Sequence, residues 1–397
     1  VKSWPVDDSV LRELLQAGRL HVTLAGFRTA PIWGQIDHIP LEFYPVLHFY
    51  FPYQFHREQV FAPWEIVQIG KQFDYRQKGF VMRPPLGVDI YEPRIQEHRE
   101  LECMSKPLFR KVSEVAPKVS VVIPSYNSGR QLMNTLTHLD EQGLSRNDYE
   151  VIVVDDGSSD DTSERLLQKE FSMNRTYLYY PRLVKRRMGD SQFRAGLARN
   201  LGVKWARGEF LVFLDSDIIV NKDFLEKTLQ LHKSWDVVQW RRDYLSSKAA
   251  SPEVHYSDVH PKDCYIPEGG YWHNFFKEME TKRWGDITDH WKYACTYAFS
   301  LSRERFMAAG WFRKTFCFYG LEDTDLGWRL AQAGSTFHLQ NEPVYHLYQK
   351  HERSEFRNSA AVRQKLLKNT MRIFFNNNLN PKIYQVFKIY LKENWFF

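Results

Sequence analysis

Two aspartates, Asp215 and Asp217, follow directly after the apolar run from Phe210 to Leu214. The run predicts a buried strand, and ligands of an open α/β sheet bind beyond the carboxyl ends of its strands. Alternate residues of an extended segment point the same way, so both carboxylates can serve one site. Such a pair suits a divalent cation that itself holds a diphosphate. The simpler alternative is a solvated turn before a helix that Asn221 or Asp223 caps.

Polar residues also follow two apolar runs upstream. Pro124-Ser-Tyr-Asn127 ends the first run, and Asp155-Asp-Gly-Ser158 ends the second. Polar groups at several strand ends are what a nucleotide site on a parallel sheet requires. Here Asp156 can accept the imide N–H of a uracil, and Tyr126 offers a ring beside the base.

A basic side chain should face a bound diphosphate. Arg194 and Arg199 lie on the helix predicted before the central strand, between about Ala195 and Ala206. Either is a candidate, and either could equally be a solvated helix charge; we favour Arg194 by a small margin.

A second group of acids opens a helix downstream, where Glu322, Asp323 and Asp325 occur within four positions. Acids at a helix N-terminus can simply complement the helix dipole. The other use is a general base, which accepts the proton of a reacting hydroxyl. Farther on, His346 ends a short strand and is a candidate third metal ligand beside Asp217, although a lone histidine is more often structural.

The elements that position these residues alternate between strand and helix from Lys118 onward. This alternation predicts a layered α/β protein with a mostly parallel central sheet, flanked by helices and connected by right-handed crossovers. A chain of 397 residues exceeds what one core supports, so further units are expected. We predict an N-terminal extension at 1–115, a catalytic domain at 116–350 and a basic amphipathic helical segment at 351–397.

The two flanking segments have distinct compositions. The stretch from Phe43 to Phe55 is aromatic and interrupted by prolines, which favours packing on the main domain, or a lid, over an acceptor platform. The segment from Ala361 to Phe397 holds seven Lys or Arg and one acid, and the whole chain has a net charge of +6. Its basic helix favours docking on its own domain or in a homodimer, with peripheral contact to an anionic membrane as the alternative.

Composition excludes several classes. Charge outside the C-terminal segment is balanced, which argues against nucleic-acid binding. No run approaches the roughly 18 apolar residues of a transmembrane helix. The four cysteines are widely spaced, which is typical of free thiols in a reducing compartment. We therefore expect a cytoplasmic protein, with the inner face of the membrane as an alternative location.

Five blocks together resemble family 2 glycosyltransferases of the GT-A fold. They span roughly residues 118–350 in the order of that family. The blocks are Lys118-Val-Ser-Val-Val-Ile-Pro-Ser-Tyr-Asn127, Val153-Val-Asp-Asp-Gly-Ser158, Ala198-Arg-Asn-Leu-Gly202, Ala206-Arg-Gly-Glu-Phe-Leu-Val-Phe-Leu-Asp-Ser-Asp217 and Gly320-Leu-Glu-Asp-Thr-Asp-Leu-Gly-Trp-Arg-Leu330. The signature of processive synthases is absent after Gln349, so a single transfer is expected rather than polymerisation.

The resemblance implies a role for each matching position. It implies nucleotide-sugar binding by Pro124, Tyr126, Asn127, Asp156, Arg194, Asp215 and Ser216. It implies a DXD motif, in which Asp215 and Asp217 meet the metal together with His346. Asp323 matches the general base, and Glu322 its partner toward the acceptor. The aromatic region between the last two motifs borders the acceptor in this fold, so we assign Trp272 and Trp291 to the acceptor. The alternative is a family-specific insertion whose aromatic residues are packed.

These observations predict a metal-dependent inverting glycosyltransferase, either hexosyl or N-acetylhexosaminyl. It would use a UDP-sugar as donor with Mn²⁺ or Mg²⁺, and an acceptor hydroxyl that the sequence does not identify. The alternative is a catalytically silent GT-A module that binds sugar nucleotide or glycan as a scaffold, because a fold alone does not establish activity.

Overall fold

The computed structural model describes residues 105–180, 194–246, 253–266, 271–287, 289–313, 316 and 321–347. The described residues all belong to one compact unit. The aromatic stretch from Phe43 to Phe55 and the basic C-terminal segment lie outside them. The boundaries proposed at residues 115 and 350 stay predictions.

Ten strands form one sheet. In chain order these strands are β1 (Lys106–Lys111), β2 (Val119–Ser125), β3 (Tyr149–Asp155), β4 (Asn174–Tyr179), β5 (Phe210–Leu214), β6 (Ile218–Ile219), β7 (Val237–Leu245), β8 (Cys264–Tyr265), β9 (Ala298–Ser302) and β10 (Phe337–His346).

Helices occupy most of the connections between these strands. The α-helices are α1 (Gly129–Asp140), α2 (Thr162–Gln168), α3 (Ala195–Trp205), α4 (Phe224–Leu231), α5 (Tyr271–Met279), α6 (Arg303–Ala308) and α7 (Glu322–Gln332). Short 3₁₀ helices cover Tyr256–Asp258, Pro261–Asp263, Trp284–Asp286 and His290–Tyr293. Among the described residues, no helix is both long and apolar enough to cross a bilayer.

The sheet confirms the predicted α/β architecture. Its strand order is β1-β4-β3-β2-β5-β9-β7-β10-β6, with β8 paired to β7. Strands β4, β3, β2 and β5 are mutually parallel, while β9 runs antiparallel between β5 and β7. Strand β10 is parallel to β7, so six strands share one direction. The polar ends of β2, β3 and β5 therefore meet at one edge.

The strand sequences explain why the sheet is covered on both faces. All seven residues of β3 are buried, as are four of the five in β5. Alternate residues point to opposite faces. On one face, Ile152 and Phe213 pack with α3, α6 and α7; on the other, Val153 and Val212 pack with α1, α2 and α4. The carboxyl edge is thus held between two packed helix layers.

Helix α3 lies unusually close to the sheet because it contains a glycine where it crosses. A Cβ added at Gly202 would stand 2.5 Å from Cγ1 of Val122 and 3.2 Å from Cγ2 of Val154. Both valines are fully buried and stiff at χ1, so neither can move aside easily. Gly202 therefore sets the depth at which α3 presents its arginines to the strand ends.

We predict that Gly202→Ala destabilises the protein although alanine favours helix formation. Overpacking a well-filled core costs about 1–3 kcal/mol, more than the gain in propensity. Urea unfolding measures the change. Gly285→Ala is the matched control, because a Cβ there has no neighbour within 4 Å. Equal stability of the two variants would contradict the close approach of α3.

Candidate functional site

The loops after β2 and β3 are fastened to each other at the carboxyl edge. Asn127 has a left-handed backbone, with φ of 48°. Its backbone N–H donates to Ser158 Oγ over 2.9 Å, and its side-chain Oδ1 accepts the Ser159 N–H over 2.8 Å. The predicted nucleotide residue Asn127 thus joins two of the strand ends that sequence analysis singled out.

A row of hydroxyls connects the β2 loop to the end of β5. The Oγ of Ser128 lies 2.9 Å from that of Ser125 and 2.9 Å from that of Ser216. All three serines are buried. Pro124 and Tyr126, which flank Ser125, are half-buried at this edge. Ser216 and the predicted residues of β2 therefore occupy one continuous edge.

Asp156 and Arg194 form a buried ion pair. The guanidinium of Arg194 donates through Nε to Asp156 Oδ1 over 2.7 Å and lies over the Tyr180 ring, 4.0 Å from its centroid. Its Nη2 also donates to the Tyr180 carbonyl over 3.2 Å. The structure therefore joins the residue predicted to read the base with the arginine that we favoured for the diphosphate.

The other arginine, Arg199, lies among three carboxylates. Its Nη2 donates to Asp215 Oδ1 over 2.7 Å, while Nη1 lies 4.0 Å from Glu322 Oε1 and 4.0 Å from Asp323 Oδ1. The Arg199 side chain is only 4% exposed. It thus brings together the first acid of the β5 pair and both acids at the start of α7.

Arg199 and a second, half-buried arginine, Arg242, do not balance this much acid. Burial, followed by the nearby Asp323 carboxylate, raises the pKa of Glu322 to about 8. Burial also raises the pKa of Asp215 to about 6 against the opposing effect of Arg199. Within the described residues, Glu322 Oε2 and Arg199 Nε and Nη1 have no hydrogen-bond partner. The cluster therefore favours the protonated form of Glu322.

Asp217 meets His346 because β6 pairs antiparallel with the end of β10. His346 lies opposite Ile218, and the Leu347 N–H donates to the Asp217 carbonyl over 2.8 Å. The His346 Nε2 lies 3.4 Å from Asp217 Oδ2. Two ligands at about 2.1 Å from one ion, at right angles, are about 3 Å apart, so this pair fits a shared divalent cation. Asp215 points to Arg199 instead, and no cluster of three metal-ligating side chains occurs in the described ranges.

Asp323 is held by a second element. The Thr296 hydroxyl donates to Asp323 Oδ1 over 2.7 Å, and the Thr296 backbone N–H donates to Oδ2 over 3.1 Å. The Asp323 side chain keeps 18% exposure. Both carboxylate oxygens are therefore oriented while part of the group still faces solvent.

Of the two tryptophans assigned to the acceptor, the structure describes the side chain of Trp291 alone. Trp291 is 4% exposed and packs edge-on against Trp328, with ring centroids 5.0 Å apart. The backbone at Trp291 also leaves no room for a Cβ at Gly327. The side chain of Trp272 lies outside the described residues. The structure thus places Trp291 in the layer packed against α7, and its assignment to the acceptor stays a prediction.

Sequence analysis ranked Arg199 below Arg194 and did not single out Thr296. The block that contains Arg199 was recognisable, and a helical projection from Gly202 could have placed Arg199 toward the strand ends. Thr296 had no local signal, since its partner Asp323 is 27 residues away. Only the approach of α7 to the turn before β9 brings the pair together.

Comparison with known proteins gives a family match over the central part of the chain. The family model described as Glycosyl transferase family 2 matches residues 120–306. This range runs from the second residue of β2 through β9 and ends before α7.

Curated relatives agree with this match. The chain is 29% identical over 270 residues to the uncharacterized glycosyltransferase YfnE of Bacillus subtilis, covering 59% of this chain and 65% of that protein. It is 26% identical to validoxylamine A glucosyltransferase of Streptomyces hygroscopicus subsp. jinggangensis, covering 62% and 58%. It is 36% identical over 109 residues to the poly(ribitol-phosphate) beta-N-acetylglucosaminyltransferase TarS of Staphylococcus aureus, covering 28% and 18%. The chain therefore spans less than two thirds of the length of each of these relatives.

The raised pKa of Glu322 predicts a pH-dependent stability. The folded pKa of about 8 lies above the ordinary 4.5, so folding favours the protonated form. The stability that Glu322 contributes is full below pH 4.5 and is lost as the pH rises through 8. Because Glu322→Gln cannot ionise, we expect this variant to gain stability relative to the wild type as the pH rises from about 4.5 to about 8.

Urea unfolding across that pH range measures the difference between the two proteins. Glu226→Gln, at an exposed glutamate of α4, is the matched control and should follow the wild type. A constant difference between Glu322→Gln and the wild type at every pH would contradict the neutral state of Glu322.

Proposed function

We propose that this chain, which belongs to glycosyl transferase family 2 by its match over residues 120–306, is a metal-dependent inverting glycosyltransferase. It moves one sugar from a UDP-sugar to an acceptor hydroxyl. The observation that carries the proposal is the carboxylate cluster at the carboxyl edge, where Asp323 and Asp215 approach the same arginine.

The nucleotide would bind along the fastened strand ends. Asp156, Tyr126 and Asn127 are at the edge formed by β2 and β3, with Pro124 behind them. Because Arg194 pairs with Asp156, we propose that Arg194 orients this carboxylate toward the base and acts on the diphosphate only indirectly. Asp215 and Ser216 continue the edge toward the phosphates.

Asp217 and His346 would hold the metal, with Asp215 as a further ligand once it separates from Arg199. A divalent cation there, Mn²⁺ or Mg²⁺, would neutralise charge on the leaving diphosphate. The acids still outnumber the two arginines, Arg199 and Arg242, which supports a cationic partner at this site. These acids are Asp215, Asp217, Glu322 and Asp323. Carboxylate with imidazole is a ligand set that suits these ions.

Asp323 is the proposed base. As the bond between the anomeric carbon and the diphosphate oxygen breaks, the acceptor oxygen bonds to that carbon from the opposite face, and its proton passes to Asp323. The raised pKa of Glu322 favours its protonated form, which can donate a hydrogen bond to the acceptor. The transition state at the anomeric carbon would resemble an oxocarbenium ion.

The names of the relatives support the class of sugar. One relative is named a glucosyltransferase and another a beta-N-acetylglucosaminyltransferase. We therefore propose a hexosyl or N-acetylhexosaminyl donor for this chain. The acceptor, the roles of Trp272 and Trp291, peripheral membrane contact, a homodimer and a cytoplasmic location stay predictions.

We predict that UDP binds in a metal-dependent way and that Asp217→Asn abolishes this dependence. Calorimetric titration of UDP with and without Mn²⁺ measures binding directly. Asp286→Asn, whose partner Arg283 is also exposed, is the control and should bind as the wild type does. Binding of GDP but not UDP would contradict the proposed nucleotide, and unchanged binding by Asp217→Asn would contradict the metal site.

We also predict that Asp323→Asn lowers the rate of donor hydrolysis by about 10²–10⁴-fold, the usual contribution of a general base. Hydrolysis uses water in place of the acceptor and is measured as UDP release from a panel of UDP-hexoses and UDP-N-acetylhexosamines. UDP affinity should be unchanged, because Asp323 does not face the nucleotide edge in this proposal. A silent module would release UDP no faster than the variant does.

A further inference from the structure

We propose that Thr296 is the positioning residue for Asp323: its hydroxyl and backbone N–H together hold the carboxylate in the orientation that the transfer needs. This inference rests on the proposed role of Asp323 as the base. It adds a residue that neither the family motifs nor the comparisons identify.

The contact is a two-point attachment. The hydroxyl donates to Oδ1 over 2.7 Å, and the N–H donates to Oδ2 over 3.1 Å. Two points fix the plane of a carboxylate, whereas one hydrogen bond would leave it free to rotate. An ionised carboxylate has about four lone-pair positions, so two remain for the acceptor proton.

The element that carries Thr296 is fastened on both sides. Before it, the Cys295 N–H donates to Gln239 Oε1 over 2.9 Å. After it, the Tyr297 carbonyl accepts the Asp215 N–H over 3.0 Å. Gln239 is fully buried on β7 and also donates to the Tyr297 hydroxyl over 3.2 Å. The turn therefore has little freedom of its own.

This fastening ties the base to the strand end. The backbone of Asp215 contacts the turn, and the turn holds Asp323 through Thr296. Asp215, on the donor side, and Asp323, on the acceptor side, are thus connected by one rigid spacer, which consists of Cys295, Thr296 and Tyr297. Displacements of about 1 Å in such a pair cost large factors in rate, so the spacer has a function beyond packing.

Glu322, the neighbouring acid, shows that a carboxyl group at the start of α7 does not need a residue that binds both of its oxygens. The Glu322 side chain is more deeply buried than that of Asp323, at 6% against 18% exposure, yet its Oε2 has no hydrogen-bond partner among the described residues. Only Asp323 is bound by the turn through both oxygens. The structure therefore distinguishes the residue proposed to take the proton from its neighbour.

The test uses Thr296→Val, which keeps the shape but removes the hydroxyl, and Thr296→Ser, which restores it. We expect Thr296→Val to lower kcat for donor hydrolysis about ten- to hundredfold, as a hydrogen bond to a charged group is worth. KM for the donor should stay within about twofold, and calorimetric UDP affinity should be unchanged. Thr296→Ser should return kcat to within about threefold of the wild type.

Thr228→Val is the matched control. Thr228 is a buried threonine whose hydroxyl donates to the Phe224 carbonyl and accepts from Trp240 Nε1, away from the cluster. This control should lose stability in urea unfolding but keep kcat. A Thr296→Val variant that loses UDP binding along with its rate, without rescue by serine, would show a structural role and overturn the proposal.

Asp323→Asn, measured in parallel, separates the two levels of inference. If Asp323→Asn is inactive and Thr296→Val has the wild-type rate, the positioning role of Thr296 is wrong, while Asp323 remains the proposed base. If Asp323→Asn hydrolyses the donor as fast as the wild type, or the wild type hydrolyses none, the proposed function is wrong and the role of Thr296 is overturned with it.

Discussion

The site depends on one buried guanidinium. Arg199 lies within 4.0 Å of Asp215, Glu322 and Asp323 and offsets the repulsion between the acids, while Arg242 has a smaller effect on the pKa of Asp215. Removing one partner of a buried ion pair costs about 3–5 kcal/mol, because the other charge is left uncompensated. Arg199 therefore links the fold to the chemistry: the same contacts that hold α7 near β5 set the charge of the site.

Two arginines on one helix serve two clusters because of helical geometry. Arg194 is at the N-cap of α3, and Arg199 is five positions later. A step of about 100° per residue turns five positions through about 140° beyond a full turn, so the two side chains leave the helix on different sides. One reaches Asp156 after β3, and the other reaches Asp215 after β5. Gly202 keeps the whole helix close enough for both.

Much of this arrangement could be predicted from the sequence. Apolar runs ending in polar residues located β2, β3 and β5, and the parallel sheet brought their ends to one edge. The predicted strand at Phe210–Leu214 has the bounds found in the structure. What could not be predicted was pairing across distance. The contact between Thr296 and Asp323 depends on the approach of α7 to the turn before β9, which no local pattern encodes.

The imbalance of charge in the cluster has a mechanistic meaning. An arginine surrounded by carboxylates has unused donors, Nε and Nη1, in a site where one acid is already neutral. A group that binds by offering positive charge to Asp215 and Asp217 would relieve the repulsion that burial imposes, and it would leave Arg199 to Glu322 and Asp323. Binding energy would then be used to reorganise the acids around Arg199, and Asp323 would keep its orientation from Thr296 throughout.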